Sequence, residues 1–220
     1  MLLDNIAILS LKQMYRSVAL DLDGTLITTG LKQTWLMSAI CLSFGTDFDR
    51  VQFWDLKRNG YTNFDALIEM GVSREKSKWI SSAWKLQIES TYWQGLDALV
   101  LGSIELLEYL KMHGASVYLI TARSSTTLLS QQLLRFRLAS YFDEVCVVNP
   151  ANVVDEKARA LKLTGAELFV GDSELDAHAA RVAQVSFVGV ESGQRSKEFL
   201  SQNGVTSISS SAASVFGIST

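Results

Sequence analysis

The chain has 220 residues, of which 48% are hydrophobic and 20% are charged, a composition that fits a soluble globular protein of one large or two unequal domains. Its formal net charge of −3, without any cluster of lysine and arginine, argues against nucleic acid or an acidic membrane surface as a partner. The two cysteines, Cys41 and Cys146, are far apart and lack metal-ligand spacing, so we expect no disulfide framework, no zinc site and a reducing, cytoplasmic location.

The N-terminal stretch MLLDNIAILSLKQMY is apolar, but it lacks the basic start and the small-residue cleavage site of a signal peptide. We therefore expect an N-terminal arm or helix. No apolar run in the sequence approaches the length of a membrane span.

The segment SVALDLDGTLI, residues 17–27, predicts a buried strand that ends in two aspartates, Asp21 and Asp23. Because strand side chains alternate between the two faces, both carboxylates point the same way. Like charges that close keep one carboxylate protonated unless a cation or a shared positive ligand lies between them. The sequence therefore predicts something positive at the end of this strand.

Helical patterns fill the next part of the chain: TWLMSAICLSF, DFDRVQFWDLKR, NFDALIEM and SREKSKWISSAWKLQIESTYW. All five tryptophans lie in this part, which predicts a helical insertion with a small core of its own. A Lys-Arg-Asn-Gly loop within it makes Arg58 a candidate for contact with a substrate.

From Ala98 onward, apolar strands such as ASVYLITA and AELFVGD alternate with amphipathic helices such as IELLEYLKMHG. The alternation predicts an α/β fold with a Rossmann-like, doubly wound parallel sheet that includes the first strand. The domains that we expect are an α/β core, residues 1–30 and 96–220, and a helical insertion, residues 31–95. The serine-rich tail looks like a last edge element.

Polar residues follow three strands of this predicted sheet, at the edge where open parallel sheets bind ligands. They are Asp21 and Asp23 after the first strand, Thr121 after the second, Asp172 with Asp176 after a later one, and Lys157 on the helix between the last two. Carboxylates from two strands form an oxygen-rich pocket that suits a hard cation such as Mg²⁺. The threonine hydroxyl, the lysine and free backbone N–H groups suit a phosphoryl group.

These residues resemble the motifs of the haloacid dehalogenase superfamily: Asp21-x-Asp23-Gly24-Thr25, Thr121, Lys157 and Gly171-Asp172-x-x-x-Asp176. An Asp-x-Asp alone is typical of a solvated turn, so the order of the whole set carries the resemblance. It covers nearly the whole chain, because that family carries a helical cap where residues 31–95 lie. Lys162 is a nearby competitor for the role of Lys157.

The resemblance implies that Asp21 is a nucleophile that forms an aspartyl-phosphate and that Asp23 is the general acid and base. It implies that Mg²⁺ is held by one oxygen of Asp21, the backbone carbonyl of Asp23 and Asp172. Asp176 would support the metal or orient Lys157. The predicted substrate-binding residues are Gly24, Thr25, Ala122, Arg123 and Arg58, although Arg123 is equally suited to pairing with an acid.

The function that follows from the resemblance is a Mg²⁺-dependent phosphatase acting on a small phosphorylated metabolite. An aspartate at position 23 counts against the true dehalogenases and the carbon–phosphorus-cleaving branch, which both lack it. Two alternatives stay open: a phosphomutase of the sugar-phosphate type, which uses the same residues, and a receiver-like signalling domain with a phosphorylated aspartate. The oligomeric state is open as well.

Overall fold

The computed structural model describes residues 15–219. The N-terminal arm or helix that the sequence predicts falls almost entirely outside the described residues. In the described part of the chain, no helix is long and apolar enough to cross a membrane.

Eight strands are present in residues 15–219, and six of them form one parallel sheet. Their bounds are β1 (Ser17–Leu20), β2 (Ile27–Thr28), β3 (Ala98–Leu99), β4 (Ser116–Ala122), β5 (Glu144–Val148), β6 (Leu168–Gly171), β7 (Ser186–Val190) and β8 (Ile208–Ser209). The six-stranded sheet has the order β5-β4-β1-β6-β7-β8, while β2 and β3 form a separate antiparallel ribbon.

Strand β1 lies at the centre of the sheet, where the direction of winding reverses. The chain passes from β1 to β4 and β5 on one side, and then returns to build β6, β7 and β8 on the other. Residue Val18 is paired with Val117 of β4 and with Leu168 of β6. Ligands of doubly wound sheets bind at this reversal, outside the carboxyl ends of the strands. The predicted α/β, doubly wound fold is confirmed.

The helices are α1 (Gly30–Ser43), α2 (Arg50–Arg58), α3 (Asn63–Glu69), α4 (Arg74–Gln87), α5 (Thr91–Gln94), α6 (Ser103–Met112), α7 (Thr126–Arg135), α8 (Val153–Thr164), α9 (Glu174–Ala183), α10 (Lys197–Gln202) and α11 (Ala212–Val215), with a 3₁₀ turn at Ala139–Tyr141. Helices α1 to α5 fall between β2 and β3, in the part of the sequence that predicts a helical insertion.

The sheet buries apolar side chains on both of its faces, as a parallel sheet covered by helices requires. Val18 and Leu20 of β1 belong to one cluster, with the leucines of α6 and two of the leucines of α7. Ala19 of β1 points to the other face and joins a cluster with the alanines of α8 and most of those of α9. Alternation along one short strand therefore anchors helices on both sides of the sheet.

The inserted helices share a third hydrophobic cluster, which includes Leu36 of α1, Phe53 of α2 and Ile80 of α4. Two of the tryptophans, Trp84 and Trp93, pack against it, whereas Trp35 and Trp79 are largely exposed. The separate cluster is consistent with an inserted unit, and the exact domain bounds, residues 31–95, stay a prediction.

Candidate active site

The first site residue, Asp21, directly follows the central strand. Its backbone N–H donates to the carbonyl of Val170 in β6 (2.9 Å), so β1 and β6 are joined up to the last position before the turn. The turn that follows closes on itself, because the N–H groups of Leu26 and Ile27 both donate to the carbonyl of Leu22. Sheet and turn together fix Asp21, whose side chain is buried.

Three carboxylates meet at this point: those of Asp21, Asp172 and Asp176 each offer an oxygen, and these oxygens lie within 4.8 Å of one another. Asp172 follows β6 and accepts a hydrogen bond from the backbone N–H of Gln194. Asp176 lies in the first turn of α9, where it forms a capping box with Ser173, whose hydroxyl donates to Asp176 Oδ2 (2.6 Å). All three carboxylates are buried.

Lys157 of α8 contacts two of these acids at once. Its Nζ donates to Oδ1 of Asp21 and to Oδ1 of Asp176, both at 2.6 Å, and the side chain is buried. Lys162 lies farther along the same helix and is exposed to solvent. The structure therefore places Lys157, and not its competitor Lys162, beside the predicted nucleophile.

The electrostatics of this cluster are unbalanced, with three buried carboxylates facing a single ammonium group. Burial raises the pKa of Asp21 to about 7, although the adjacent Lys157 opposes that shift. Burial also raises the pKa of Asp172 well above its ordinary value, and the negative charge of Asp21 adds to the effect. Burial disfavours the charge of Lys157, but Asp176 and Asp21 outweigh it and raise the pKa of that ammonium.

A divalent cation fits this donor set. Carboxylate oxygens are hard ligands of the kind that Mg²⁺ and Ca²⁺ prefer, and a cation among them would offset the excess negative charge. The carboxylates of Asp21, Asp172 and Asp176 are therefore able to hold a metal ion beside Lys157.

The other aspartate of the first motif, Asp23, has different neighbours. Its carboxylate accepts from Nη2 of Arg123 (2.7 Å), and Nζ of Lys32 lies 3.9 Å from its Oδ1. Arg123 is thus paired with an acid, one of the two roles that the sequence left open for it. The metal contact predicted for Asp23, through its backbone carbonyl, stays a prediction.

Thr121 and Ala122 are the last two residues of β4, immediately beside β1 in the sheet. The residue pair Leu20–Leu119 ends the register between these strands, so Asp21 and Thr121 both lie just beyond it. The hydroxyl of Thr121 makes no hydrogen bond within residues 15–219, and the side chain is buried. It is therefore free for a ligand at this edge of the sheet.

The two predicted substrate residues in the first turn, Gly24 and Thr25, are also at this edge. Gly24 has a φ of +87°, and a Cβ added to it would overlap the carboxylate of Asp172 and approach Cα of Gly193 to 2.8 Å. The Thr25 side chain is fully buried, and its hydroxyl has no partner in the described part of the chain.

Arg58, the candidate from the inserted helices, reaches the same side of the sheet. Its guanidinium donates to the backbone carbonyls of Gly193 (2.8 Å) and Glu191 (3.2 Å), in the loop after β7. The same loop supplies the N–H group of Gln194 to Asp172. Arg58 therefore holds a loop that borders the acidic cluster, and its contact with a substrate stays a prediction.

Several residues around the site are not among those that the sequence predicts. A sequence pattern does exist for one of them, Ser173, because Ser-x-x-Asp before a helix is a capping-box signature. Gln194 contributes only its backbone, which has no residue-type signal. Lys32, Asp97 and Gln132, which surround Arg123 and Asp23, are too far apart along the chain to form a motif.

The sequence matches the family model for haloacid dehalogenase-like hydrolases over residues 18–190. The chain belongs to this family. A comparison with curated proteins finds no significant match. The match spans all six strands of the sheet except the last and includes every motif residue named above.

Solved structures of similar fold include three bacterial proteins. A predicted phosphatase from Clostridium acetobutylicum is 22% identical, with a TM-score of 0.70 over 92% of this chain and 96% of that one. A predicted phosphoglycolate phosphatase from Haemophilus somnus is 19% identical, with a TM-score of 0.69 over 94% and 99%. A haloacid dehalogenase-like hydrolase from Streptococcus pneumoniae is 17% identical, with a TM-score of 0.70 over 92% and 97%. At such identities the likeness establishes a common fold.

Proposed function

We propose that this haloacid dehalogenase-like hydrolase is a Mg²⁺-dependent phosphatase that cleaves small phosphorylated metabolites through an aspartyl-phosphate at Asp21. The observation that carries the proposal is the position of Asp21, which lies at the centre of the sheet between Lys157 and two further buried carboxylates. Two of the solved structures named above are described as a predicted phosphatase and a predicted phosphoglycolate phosphatase, which agrees with it.

The residues around Asp21 form two sets, one that would bind the phosphoryl group and one that would bind the metal ion. Lys157, the hydroxyl of Thr121 and the backbone N–H groups that follow Asp21 and Thr121 would hold its oxygens. Asp21, Asp172 and Asp176 would hold Mg²⁺. A bound Mg²⁺ would offset the negative charge of the phosphoryl oxygens. Of the two oxygens of Asp21, the Nζ of Lys157 contacts only Oδ1, so this ammonium group lies beside the place where the phosphoryl group would bind and leaves the other carboxylate oxygen free to attack.

The first half of the proposed reaction transfers the phosphoryl group to the enzyme. A carboxylate oxygen of Asp21 attacks phosphorus, the bond from phosphorus to the ester oxygen breaks, and the carboxyl group of Asp23 gives its proton to that oxygen. In the second half, Asp23 takes a proton from water as the water attacks phosphorus. Phosphate then leaves, and the carboxylate of Asp21 is restored.

We also propose that the inserted helices, residues 31–95, act as a cap that selects the substrate, and that the protein works in the cytoplasm. The contact of Arg58 with the loop after β7 supports the first of these ideas, because it joins the insertion to the border of the site. Membership of the hydrolase family counts against a receiver-like signalling role.

A phosphate-release screen tests the function. Sugar phosphates, nucleotides and phosphoglycolate are offered to protein treated with EDTA, and Mg²⁺ or Ca²⁺ is then added back. We expect release with Mg²⁺, poor release with Ca²⁺, whose longer bonds and higher ligand number misplace the reacting groups, and none with EDTA.

The nucleophile is tested with Asp21→Asn, which keeps the shape of the side chain and removes the covalent route. We expect turnover to be abolished, while the exposed Asp47→Asn, a matched control, remains active. Undiminished turnover in Asp21→Asn contradicts the mechanism. Conversion of a sugar monophosphate into its positional isomer, without net phosphate release, identifies a phosphomutase instead.

A further inference from the structure

Five side chains form a closed ring next to the acidic cluster. Lys32 Nζ donates to Asp97 Oδ2 (2.7 Å), and Gln132 Nε2 donates to the same oxygen (2.7 Å). The amide oxygen of Gln132 accepts from Arg123 Nη2 (3.0 Å), and that nitrogen also donates to Asp23. Lys32 closes the ring at 3.9 Å from Asp23. We call these five residues the Asp23 ring.

The ring joins three parts of the fold. Lys32 lies in the first turn of α1, where the chain enters the inserted helices, and Asp97 lies just before β3, where it returns from them. Arg123 and Gln132 come from the loop after β4 and from α7. Asp23 alone comes from the first motif. Lys32 and Asp97, at the two ends of the insertion, are bonded to each other. Asp97 is bonded in turn to Gln132, which accepts from Arg123, the residue that holds Asp23.

The burial of this ring is costly for stability. Lys32, Asp97, Arg123 and Gln132 are buried, and neither Asp97 Oδ1 nor Arg123 Nε has a partner within residues 15–219. Unpaired buried polar atoms disfavour folding, and a buried ion pair is often less stabilising than an apolar contact of the same size. A gain in stability therefore does not explain why these residues are charged. The position that they impose on Asp23 explains it better.

Asp23 is the one member of the ring that solvent reaches. Its side chain is 31% exposed, against 4% for the side chain of Arg123. The Nη2 atom of Arg123 lies 2.7 Å from each of the two carboxylate oxygens, so the guanidinium fixes a carboxylate that is still partly open to solvent. A general acid and base must be held at a set distance from the leaving oxygen and then from water, and such an anchored carboxylate meets that requirement.

We propose that Arg123 and Gln132 are positioning residues for Asp23, and that Lys32 and Asp97 make this position depend on the arrangement of the two junctions of the inserted helices. The proposal rests on the phosphatase function, because only in that function does Asp23 act as the general acid and base whose position matters. In it, Arg123 acts through Asp23 and does not bind the substrate.

Gln132→Met tests the proposal, since methionine has a similar length and makes neither amide hydrogen bond. Gln131→Met is its matched control, because Gln131 is the adjacent residue of α7 and is exposed. We expect Gln132→Met to lower kcat on an unactivated alkyl phosphate by on the order of 10- to 100-fold. The first-turnover burst from p-nitrophenyl phosphate should stay close to that of the unsubstituted protein, because nitrophenolate leaves without a proton.

Two results would overturn the proposal: equal losses on the alkyl phosphate and in the p-nitrophenolate burst, or a Gln132→Met protein that behaves like Gln131→Met. If Gln132→Met does not fold, Asp97→Asn takes its place, as it keeps the shape and removes the charge between Lys32 and Gln132. The same selective loss is expected of it, and an equal loss on both substrates overturns the proposal as well.

A crystal structure of Gln132→Met, or of Asp97→Asn in its place, separates failure of the ring from failure of the phosphatase function. We expect displaced Arg123 and Asp23 side chains, whether or not any ester is hydrolysed. An unmoved Asp23 carboxylate overturns the ring even in an active enzyme. Absence of phosphate release from every ester by the unsubstituted protein, together with a displaced Asp23 in the variant, overturns the phosphatase function and leaves the positioning by the ring supported.

Discussion

At the scale of single residues, the charge of Asp21 links the site to the stability of the fold. The pKa of this carboxyl is raised from 3.8 to about 7, mainly by burial, so the folded protein holds its proton more tightly than the unfolded chain does. A raised acid pKa favours folding at low pH, and this contribution is lost as the pH rises towards the folded pKa. The raised pKa values of Asp172 and Asp97 act in the same direction.

We therefore predict that the metal-free protein becomes less stable between about pH 5 and pH 7. Its thermal midpoint in EDTA should fall over this interval by roughly 5 to 10 °C. Asp21→Asn should make the fall smaller, because an amide has no proton to lose, whereas Asp47→Asn should leave it unchanged. Thermal unfolding followed by circular dichroism provides the measurement.

Added Mg²⁺ supplies a second readout of the same charge. Cation binding requires deprotonated carboxylates, so Mg²⁺ should raise the midpoint more at pH 7 than at pH 5. A midpoint that is flat or rises between these pH values without metal would contradict a raised pKa at Asp21.

Residue-level prediction from the sequence succeeds where the residues belong to a local motif. Asp21 and Asp172 follow strands, and the carboxyl ends of parallel strands meet at one edge, so their proximity follows from the fold. Preference for Lys157 over Lys162 needed the helix phase, which only the structure gives. Members of the Asp23 ring are separated by 65 residues between Lys32 and Asp97 and by 100 residues between Asp23 and Arg123, and no spacing rule connects them.

At the scale of elements, the turn after β1 depends on a residue without a side chain. Gly24 has a positive φ and lies directly against Asp172 and Gly193. Gly45, beyond the end of α1, also has a positive φ (+59°), but a Cβ there would meet nothing within 4 Å. The two glycines therefore differ in their surroundings and share the same kind of backbone conformation.

We predict that Gly24→Ala damages the metal site, while Gly45→Ala affects only stability. Each should cost about 1–2 kcal/mol for the left-handed conformation. Gly24→Ala should in addition displace the Asp172 carboxylate and weaken Mg²⁺ binding by roughly 10- to 100-fold. Calorimetric titration with Mg²⁺ measures the difference, and equal Mg²⁺ affinities in the two variants would show that Asp172 does not depend on this close approach.

Among the elements, those with long periodic patterns were predicted and short ones were missed. The apolar strands around β1, β4 and β6 are confirmed. The two-residue strands β2 and β3 are too short for any period to appear, and α10 has only six residues. The pattern read as one helix up to Trp93 is broken after Gln87, because a second helix, α5, begins behind Ser90.

At the scale of the whole molecule, the inserted helices contact the α/β core on both sides of the site. Arg58 of α2 donates to the carbonyl of Gly193 on one side. On the other side, Glu89, between α4 and α5, accepts from the backbone N–H groups of Ser124 and Ser125 (2.9 and 3.1 Å), where α7 begins. A carboxylate at the start of a helix is favoured by the helix dipole. These contacts join the insertion to the core at two places that border the site.

Because every tryptophan lies in the inserted helices, we predict that the intrinsic fluorescence reports whether the insertion opens and closes over the core. Aluminium fluoride with Mg²⁺, as a phosphate mimic at Asp21, should change the emission, and Asp21→Ala should lose that change.

Cutting by a protease near residues 28–30 and 94–96 should slow in the same complex, and Glu89→Gln, which weakens one contact, should speed it in the free protein. Glu75→Gln, an exposed glutamate of α4, is the matched control and should cut at the ordinary rate. If neither emission nor cutting responds while the mimic demonstrably binds, the insertion is not a closing cap, and the substrate must be selected by the core.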